Sequence, residues 1–265
     1  MSLSRREGGC RVFAAHLGAV CVCMLCPGAV GQSTLRAAAV DPLISAIESI
    51  KQSVASMDCL AVSPKEAKMI KRIGSAFLTS DSGDFLTAAH VIAAMQKEDD
   101  PCPTSAITVP VAGWQPEAPL EDMLWFPFKN SDCKADSVND LAVCGLSGDL
   151  RTRIRKLHLK PVQFEWDAPP DGTRLAFTGF PLGARDPTTF RAHVAAYRGP
   201  RPNELTPELI LDHGSLPGFS GAPVFLADGK VVAILLRDGK PEAPGMAIAR
   251  PVSVVRKMLG ERPPK

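Results

Sequence analysis

The sequence predicts an all-β fold, a sandwich or a pair of barrels. Three observations predict it. From Lys71 onward, short apolar runs recur at intervals of about 8–12 residues, the spacing of strands joined by tight turns. The 265 residues include 24 prolines, which interrupt helices and mark turns. Apolar residues make up 45% of the chain, enough for a globular core.

Residues 1–31 read as a signal peptide. Arg5, Arg6 and Arg11 give a positive start, and Val12 to Leu25 is an apolar core interrupted by His16. Ala29-Val30-Gly31 offers small residues at the positions a signal peptidase reads, which puts cleavage before Gln32. An uncleaved anchor is the alternative, but the apolar run is short of the roughly 20 residues a span needs. The expected location is the periplasm or the exterior, with no stable membrane span after cleavage. Cys21, Cys23 and Cys26 have no lipobox-like context.

Residues 32–70 read as an N-terminal helical extension. After a flexible start over Gln32 to Val40, Asp41-Pro42 has the cap and first-turn residues that open a helix. Leu43, Ile47, Ile50 and Val54 share one face, so the helix is expected to run to about Met57. Ser63-Pro64-Lys65-Glu66 has the capping-box pattern and predicts a second helix. These helices are expected to pack on the outside of the β-domain; a regulatory pro-segment is the other reading.

Residues 71–149 hold the first strand set. Gly74 to Thr79 and Phe85 to Ala88 flank Asp81-Ser82-Gly83 as a hairpin. Ile107 to Val111, Met123 to Phe128 and Leu141 to Cys144 continue it, and Gly145 to Lys160 is a linker. Residues 150–265 hold the second set. Its strands are Arg174 to Gly179, Arg191 to Tyr197, Leu209 to Asp212, Ala222 to Leu226, Val231 to Leu236 and Met246 to Arg250. Val252 to Leu259 is expected to close the chain as a helix, with Arg256 and Lys257 near its negative end.

Four cysteines follow the signal region: Cys59, Cys102, Cys133 and Cys144. An even number in an oxidising compartment suggests disulfides, and four cysteines allow three pairings. Cys102 and Cys133 both lie in polar, turn-rich stretches, which favours that pair and leaves Cys59 with Cys144. Buried free thiols are the alternative. No C-x-x-C or H-x-x-x-H spacing exists outside the signal region, so neither a metal site nor a cofactor is expected. The net charge of +2, with no long basic run, argues against nucleic acid as a partner. The sequence assigns no oligomeric state.

The chemistry-bearing stretch is Leu216-Pro217-Gly218-Phe219-Ser220-Gly221-Ala222-Pro223. Glycines on both sides let a serine sit on a sharp turn with N–H groups facing outward, a nucleophile beside an oxyanion hole. Upstream, Phe85 to Ile92 is an apolar run that ends at His90, and Asn139-Asp140 opens another apolar run. The chain order is His, Asp, Ser, the order of the chymotrypsin-type triad and not of α/β-hydrolases.

Thr87-Ala88-Ala89-His90, Asn139-Asp140-Leu141-Ala142 and Gly218-Phe219-Ser220-Gly221-Ala222-Pro223 resemble the three signature segments of trypsin-like serine peptidases. The resemblance runs from about Ile73 to about Leu259 and is closer to the bacterial HtrA-type branch than to digestive trypsins. Thr178-Gly179-Phe180-Pro181-Leu182-Gly183 is similar to that branch's Gly-x-Pro-x-Gly loop. Asp228-Gly229-Lys230 is similar to the hairpin after its serine, and Gly245 to Pro251 to its last strand. The resemblance implies two packed six-stranded antiparallel barrels, with His90 and Asp140 from the first and Ser220 from the second. After Lys265 no PDZ domain, the usual HtrA appendage, is expected.

By role, Ser220 is the nucleophile, His90 the general base and then acid, and Asp140 the group that orients His90. The N–H groups of Gly218 and Ser220 form the oxyanion hole. Asp132 and Asp136 compete with Asp140, but only Asp140 directly precedes an apolar strand. Ser215 lacks flanking glycines, and His158, His193 and His213 lack a matching context, although His213 is close enough to the nucleophile to line the cleft.

Two departures from the family pattern matter. Zymogen-type trypsins carry an aspartate where this chain has Phe219, and HtrA enzymes often an asparagine. No Ile-Val-Gly-Gly start is present, so activation by N-terminal cleavage of that kind is not expected. Phe219 either steadies the loop by burial or holds it misaligned. Ala222 stands where glycine is usual.

Substrate-binding candidates are Gly214, six residues before Ser220, where trypsins carry an acid, and the apolar Ile234-Leu235-Leu236. They suggest uncharged, small or aliphatic side chains before the scissile bond. A preference for Arg or Lys would need Asp212 or Asp238. The expected activity is exported serine endopeptidase. The alternatives are an inactive peptidase-fold binding protein and an esterase using the same triad.

Overall fold

Asp41 caps the first helix, α1 (Pro42–Lys51): its carboxylate accepts the Leu43 N–H at 3.0 Å, and proline occupies the first turn. The computed structural model describes residues 41–63, 66–109, 124–200, 206–238 and 245–260. The expected signal peptide, its three cysteines and the stretch 32–40 lie outside them. Leu43, Ala46 and Ile50 are buried, while the Asp41 carboxylate also pairs with Arg174 and Arg191.

The helix ends at Lys51 instead of Met57, because the chain enters β1 (Val54–Val62). The first seven residues of this strand are buried on both faces, which removes the alternation that would identify a strand. The second helix expected from Ser63 is also replaced. The Ser63 hydroxyl does accept the Glu66 N–H at 3.1 Å, as in a cap, but the Ser63 N–H donates to Glu66 O at 2.8 Å. These bonds close a hairpin into β2 (Ala67–Leu78), and the first sheet therefore begins within the expected helical extension.

β3 (Asp84–Ala88), β4 (Thr104–Val109), β5 (Leu124–Pro127), β6 (Cys133–Asp136) and β7 (Leu141–Gly145) complete an antiparallel sheet of order β5-β4-β1-β2-β3-β7-β6. It has seven strands instead of six. A short 3-10 turn, Asn130–Asp132, separates β5 from β6, so both edges of the sheet come from one stretch of chain and the sheet curls towards closure. Short helices α2 (Ala89–Met95) and α3 (Asp149–Arg155) follow β3 and β7; α3 lies in the expected linker.

The second sheet is a closed barrel of β8 (Arg174–Gly179), β9 (Thr188–Arg198), β10 (Glu208–Leu211), β11 (Pro223–Phe225), β12 (Val231–Asp238) and β13 (Ala247–Pro251). With β5 and β6 counted as one broken strand, both sheets wind in the same order: first, second, third, sixth, fifth, fourth, and back to the first. The architecture is the trypsin-like double barrel. The expected closing helix is a 3-10 turn, Val252–Val254, followed by turns to Gly260. Val252, Val254 and Val255 are β-branched and lose side-chain freedom in a helix.

One core cluster joins the sheets, bringing Phe77, Phe85 and Leu86 of the first together with Phe225, Ile234 and Leu236 of the second. Burying each such side chain contributes roughly 1.5–3 kcal/mol. A second cluster, including Leu175, Phe177 and Phe219, fills the closed barrel.

The disulfides are Cys59–Cys102 and Cys133–Cys144, with Cα–Cα separations of 5.2 and 4.0 Å. This corrects the expected Cys102–Cys133 and Cys59–Cys144 pairs. Strand register decides the pairing: Cys133 lies opposite Cys144 between β6 and β7, and Cys59 lies opposite Ser105, three residues beyond Cys102. Local polarity, the sequence criterion, carries no register information.

Candidate active site

β3 ends at Ala88 and the chain turns into α2, which puts His90 at the second helical position. Two bonds join it to Asp140. The His90 N–H donates to Oδ1 at 2.9 Å, and Nδ1 meets Oδ2 at 2.7 Å. The first bond fixes the carboxylate against the backbone, and the second sets the orientation of the ring.

Asp140 sits just before β7 with φ +57°, a left-handed conformation that costs an ordinary residue about 1–2 kcal/mol. The surrounding loop over-determines it. Asp136 accepts the N–H groups of Val138 and Asn139, both at 3.0 Å, and the Asn139 side-chain amide at 2.7 Å. The Ala89 N–H donates to Asp140 O at 3.1 Å. Asp136, a rival for the orienting role, therefore shapes the turn. Burial pushes the Asp140 carboxyl up, but the His90 hydrogen bonds and the charges of His90 and Arg250 outweigh it, and the net shift is downward.

Ser220 lies on a turn with Gly218 at φ +99° and Gly221 at φ +87°. Only glycine fits at 221: a Cβ there would collide with Ser75 O and the Thr87 hydroxyl. The loop is bonded from both sides. The Ser75 hydroxyl donates to Gly218 O at 2.7 Å, and the Ser75 N–H to Ser220 O at 2.8 Å. The Gly221 N–H donates to Leu235 O at 2.8 Å. Among the described residues, the N–H groups of Gly218 and Ser220 have no protein acceptor. The Ser220 hydroxyl donates to Leu236 O at 2.9 Å.

The first sheet comes close to the Ser220 loop at Gly74. A Cβ there would stand 2.8 Å from the side chain of Val91, the neighbour of His90, and 3.0 Å from Ser220 O. Gly74 therefore lies between Val91, the residue after His90, and the backbone of the Ser220 loop.

Phe219 is fully buried, with its ring centroid 5.0 Å from both Phe177 and Phe190. Its side chain anchors the loop in the second barrel. His213 packs on Phe190 at 4.8 Å and donates from Nδ1 to Gly214 O at 2.7 Å. Ile234, Leu235 and Leu236 are placed differently from the expectation: all three side chains are core, and the strand reaches the Ser220 loop through backbone atoms. Asp212 is committed to His193, with the His193 N–H at 2.6 Å and Nδ1 at 3.0 Å, so it supplies no pocket base. The Asp238 side chain is outside the described residues.

Sequence reasoning missed Ser75, Thr87, Arg72 and Arg250. Ser75 also accepts the Phe180 N–H at 2.9 Å, and the Thr87 hydroxyl donates to Ser75 O at 2.7 Å. Arg72 is bidentate to buried Asp58, at 2.8 and 3.2 Å, and reaches Ala184 O beyond the Phe180–Gly183 loop. That loop in turn donates the Leu182 N–H to Pro217 O at 2.7 Å. Of the four, Thr87 stood inside a signature segment and Arg250 inside the stretch similar to the family's last strand.

Residues 74–234 match a family model described as the trypsin-like peptidase domain. No curated protein sequence matches the chain. Among solved structures, the chain is similar to the HtrA-type protease AlgW with a decapeptide: TM-score 0.61, 16% identity, covering 82% of this chain and 66% of that one. AlgW with a tripeptide gives 0.58 and 17%, over 82% and 62%. The chain thus spans under two thirds of those proteins' length.

Proposed function

The chain belongs to the trypsin-like peptidase family, and from that premise we propose that it is an exported serine endopeptidase working through His90, Asp140 and Ser220. The observation that carries the reading is the two-bond His90–Asp140 pair beside a glycine-framed serine loop.

Ser220 turns its hydroxyl from Leu236 O to His90 Nε2, transfers its proton there and attacks the peptide carbonyl carbon. Asp140 holds the Nδ1–H tautomer and stabilises the imidazolium. The N–H groups of Gly218 and Ser220 bind the oxygen that becomes negative; losing one such donor costs roughly 100-fold or more in rate. His90 gives its proton to the departing amine, then activates a water that releases the acyl group from Ser220.

β11 pairs with β12 only as far as Ile234, so the β12 edge beyond Leu235 is where a substrate main chain adds as an extra strand. Peptides were also the ligands of the AlgW structures. Gly214 and the absence of a free Asp212 favour uncharged side chains before the scissile bond. The signal-like residues 1–31 and two disulfides fit export to an oxidising compartment. Among the described residues, no helix is long and apolar enough to cross a membrane.

A binding-protein reading has one observation in its favour, the Ser220 hydroxyl bonded to Leu236. Incubation with a peptide library, read by mass spectrometry, separates the readings. The peptidase gives internal cleavage that Ser220→Ala abolishes. Turnover of esters alone would make it an acyl hydrolase, and turnover of neither by a folded chain would make it a binding protein.

A further inference from the structure

The chain contains two His–Asp pairs with the same two-bond geometry, His90–Asp140 and His193–Asp212. In each, one carboxylate oxygen takes the histidine N–H and the other meets Nδ1. The pairs differ in what stands behind the aspartate. Asp212 follows β10 at an exposed position, and the groups that act most on its carboxyl are His193 and its own backbone. Asp140 sits in a left-handed turn at the interface of the sheets, and a guanidinium from the opposite sheet faces it.

That guanidinium is Arg250 on β13, only 5% exposed. Its Nε donates to Asn139 O at 3.0 Å, the carbonyl immediately before Asp140, and one terminal nitrogen donates to Pro207 O at the start of β10. Both partners are neutral carbonyls, so these bonds do not neutralise the charge. A buried cation is costly without an opposite charge nearby. The charges that act on it most are Glu208 from β10, Asp140 just before β7, Asp136 at the end of β6, and the like-charged Arg237 from β12. The loop that must present Asp140 to His90 is therefore held from the other barrel by a residue that supplies both a hydrogen bond and a positive field.

Building on the triad reading above, we propose that Arg250 is the positioning residue of the His90–Asp140 pair, locking the Asn139–Asp140 peptide across the barrel interface and keeping Asp140 a two-oxygen acceptor for His90. It touches neither substrate nor the reacting atoms. It acts through Asp140, and so fixes which nitrogen of His90 carries the proton.

The test is the tautomer of His90, read by nitrogen-15 NMR of histidine-labelled protein and assigned with His90→Gln. His193 is the internal control, having the same pairing without the arginine. In the wild type both rings hold the proton on Nδ1. Arg250→Met shifts His90 to a mixture of tautomers and leaves His193 unchanged. It lowers kcat for peptide about tenfold or more with KM nearly unchanged. Arg250→Lys, which keeps the charge and a donor, retains the wild-type His90 signal. Arg250→Gln, which keeps a donor without charge, behaves like Arg250→Met and replaces it should the methionine variant not fold. An unchanged His90 signal in a folded Met or Gln variant overturns the proposal. So does failure of both variants to fold, which makes Arg250 a folding requirement. The tautomer readout needs no turnover. An inactive wild type with the predicted signals would therefore defeat the peptidase reading and leave this assignment intact.

Discussion

The Ser75 hydroxyl donates to the carbonyl oxygen of Gly218 at 2.7 Å, so a strand of the first sheet holds the loop that carries Ser220 in the second. That carbonyl is held on the Ser75 hydroxyl and Ser220 O on the Ser75 N–H, while the N–H groups of Gly218 and Ser220 have no acceptor among the described residues, as the proposed oxyanion hole requires. Ser75→Ala removes the donor to Gly218 and the acceptor of the Phe180 N–H. Leaving buried groups unpaired costs about 1–3 kcal/mol. We expect a drop of that size in urea denaturation and a fall in kcat of about tenfold, seen in parallel peptide assays.

Gly221 and Gly229 both adopt left-handed angles, φ +87° and +83°, but in different surroundings. A Cβ at 229 meets nothing within 4 Å, whereas at 221 it collides with Ser75 O. Gly229→Ala is expected to cost only the backbone strain, about 1 kcal/mol, and to keep full activity. Gly221→Ala is expected to lose activity and several degrees of Tm. Comparing the two variants by calorimetry and turnover separates loop placement from simple glycine strain.

Asp140 gives a pH signature. Burial raises its pKa, the His90 bonds and nearby positive charge outweigh that rise, and the folded value lies below the unfolded one of about 3.9. The unfolded chain then binds more protons in this range, so stability rises with pH there. The contribution is complete above the unfolded pKa and is lost as pH falls through the folded one. The part of the stability gap between wild type and Asp140→Asn that comes from this carboxylate is therefore expected to be lost as pH falls below about 4. Denaturant titrations at each pH measure it.

The disulfides enclose loops of different length, 43 residues for Cys59–Cys102 and 11 for Cys133–Cys144. Loop-closure entropy gives about 4 and about 3 kcal/mol respectively. Peptide mapping without reductant is expected to return these two pairs. The Cys59→Ser/Cys102→Ser variant should lose about 1 kcal/mol more than Cys133→Ser/Cys144→Ser in chemical denaturation.

The strands with alternating or uniformly apolar runs between turn residues were legible, and β8 coincides with the expected Arg174 to Gly179. The three motif segments were legible because each concentrates residues whose spacing is local. β1 was not: a strand buried on both faces next to a real helix continues the helix's apolar pattern. The Ser63–Glu66 cap signal was genuine chemistry used for a different purpose, a hairpin turn. Disulfide pairing depended on strand register, which no single segment encodes. Ser75 and Arg250 act over 143 and 111 residues of sequence, and nothing near them in the chain signals their partners.

The most direct test of the account is labelling of the chain from residue 32 with a fluorophosphonate serine probe, beside Ser220→Ala and His90→Ala. The account predicts covalent labelling of Ser220 that is absent in the first variant and strongly reduced in the second. A folded wild-type chain that takes no label, or labels equally without His90, would contradict it.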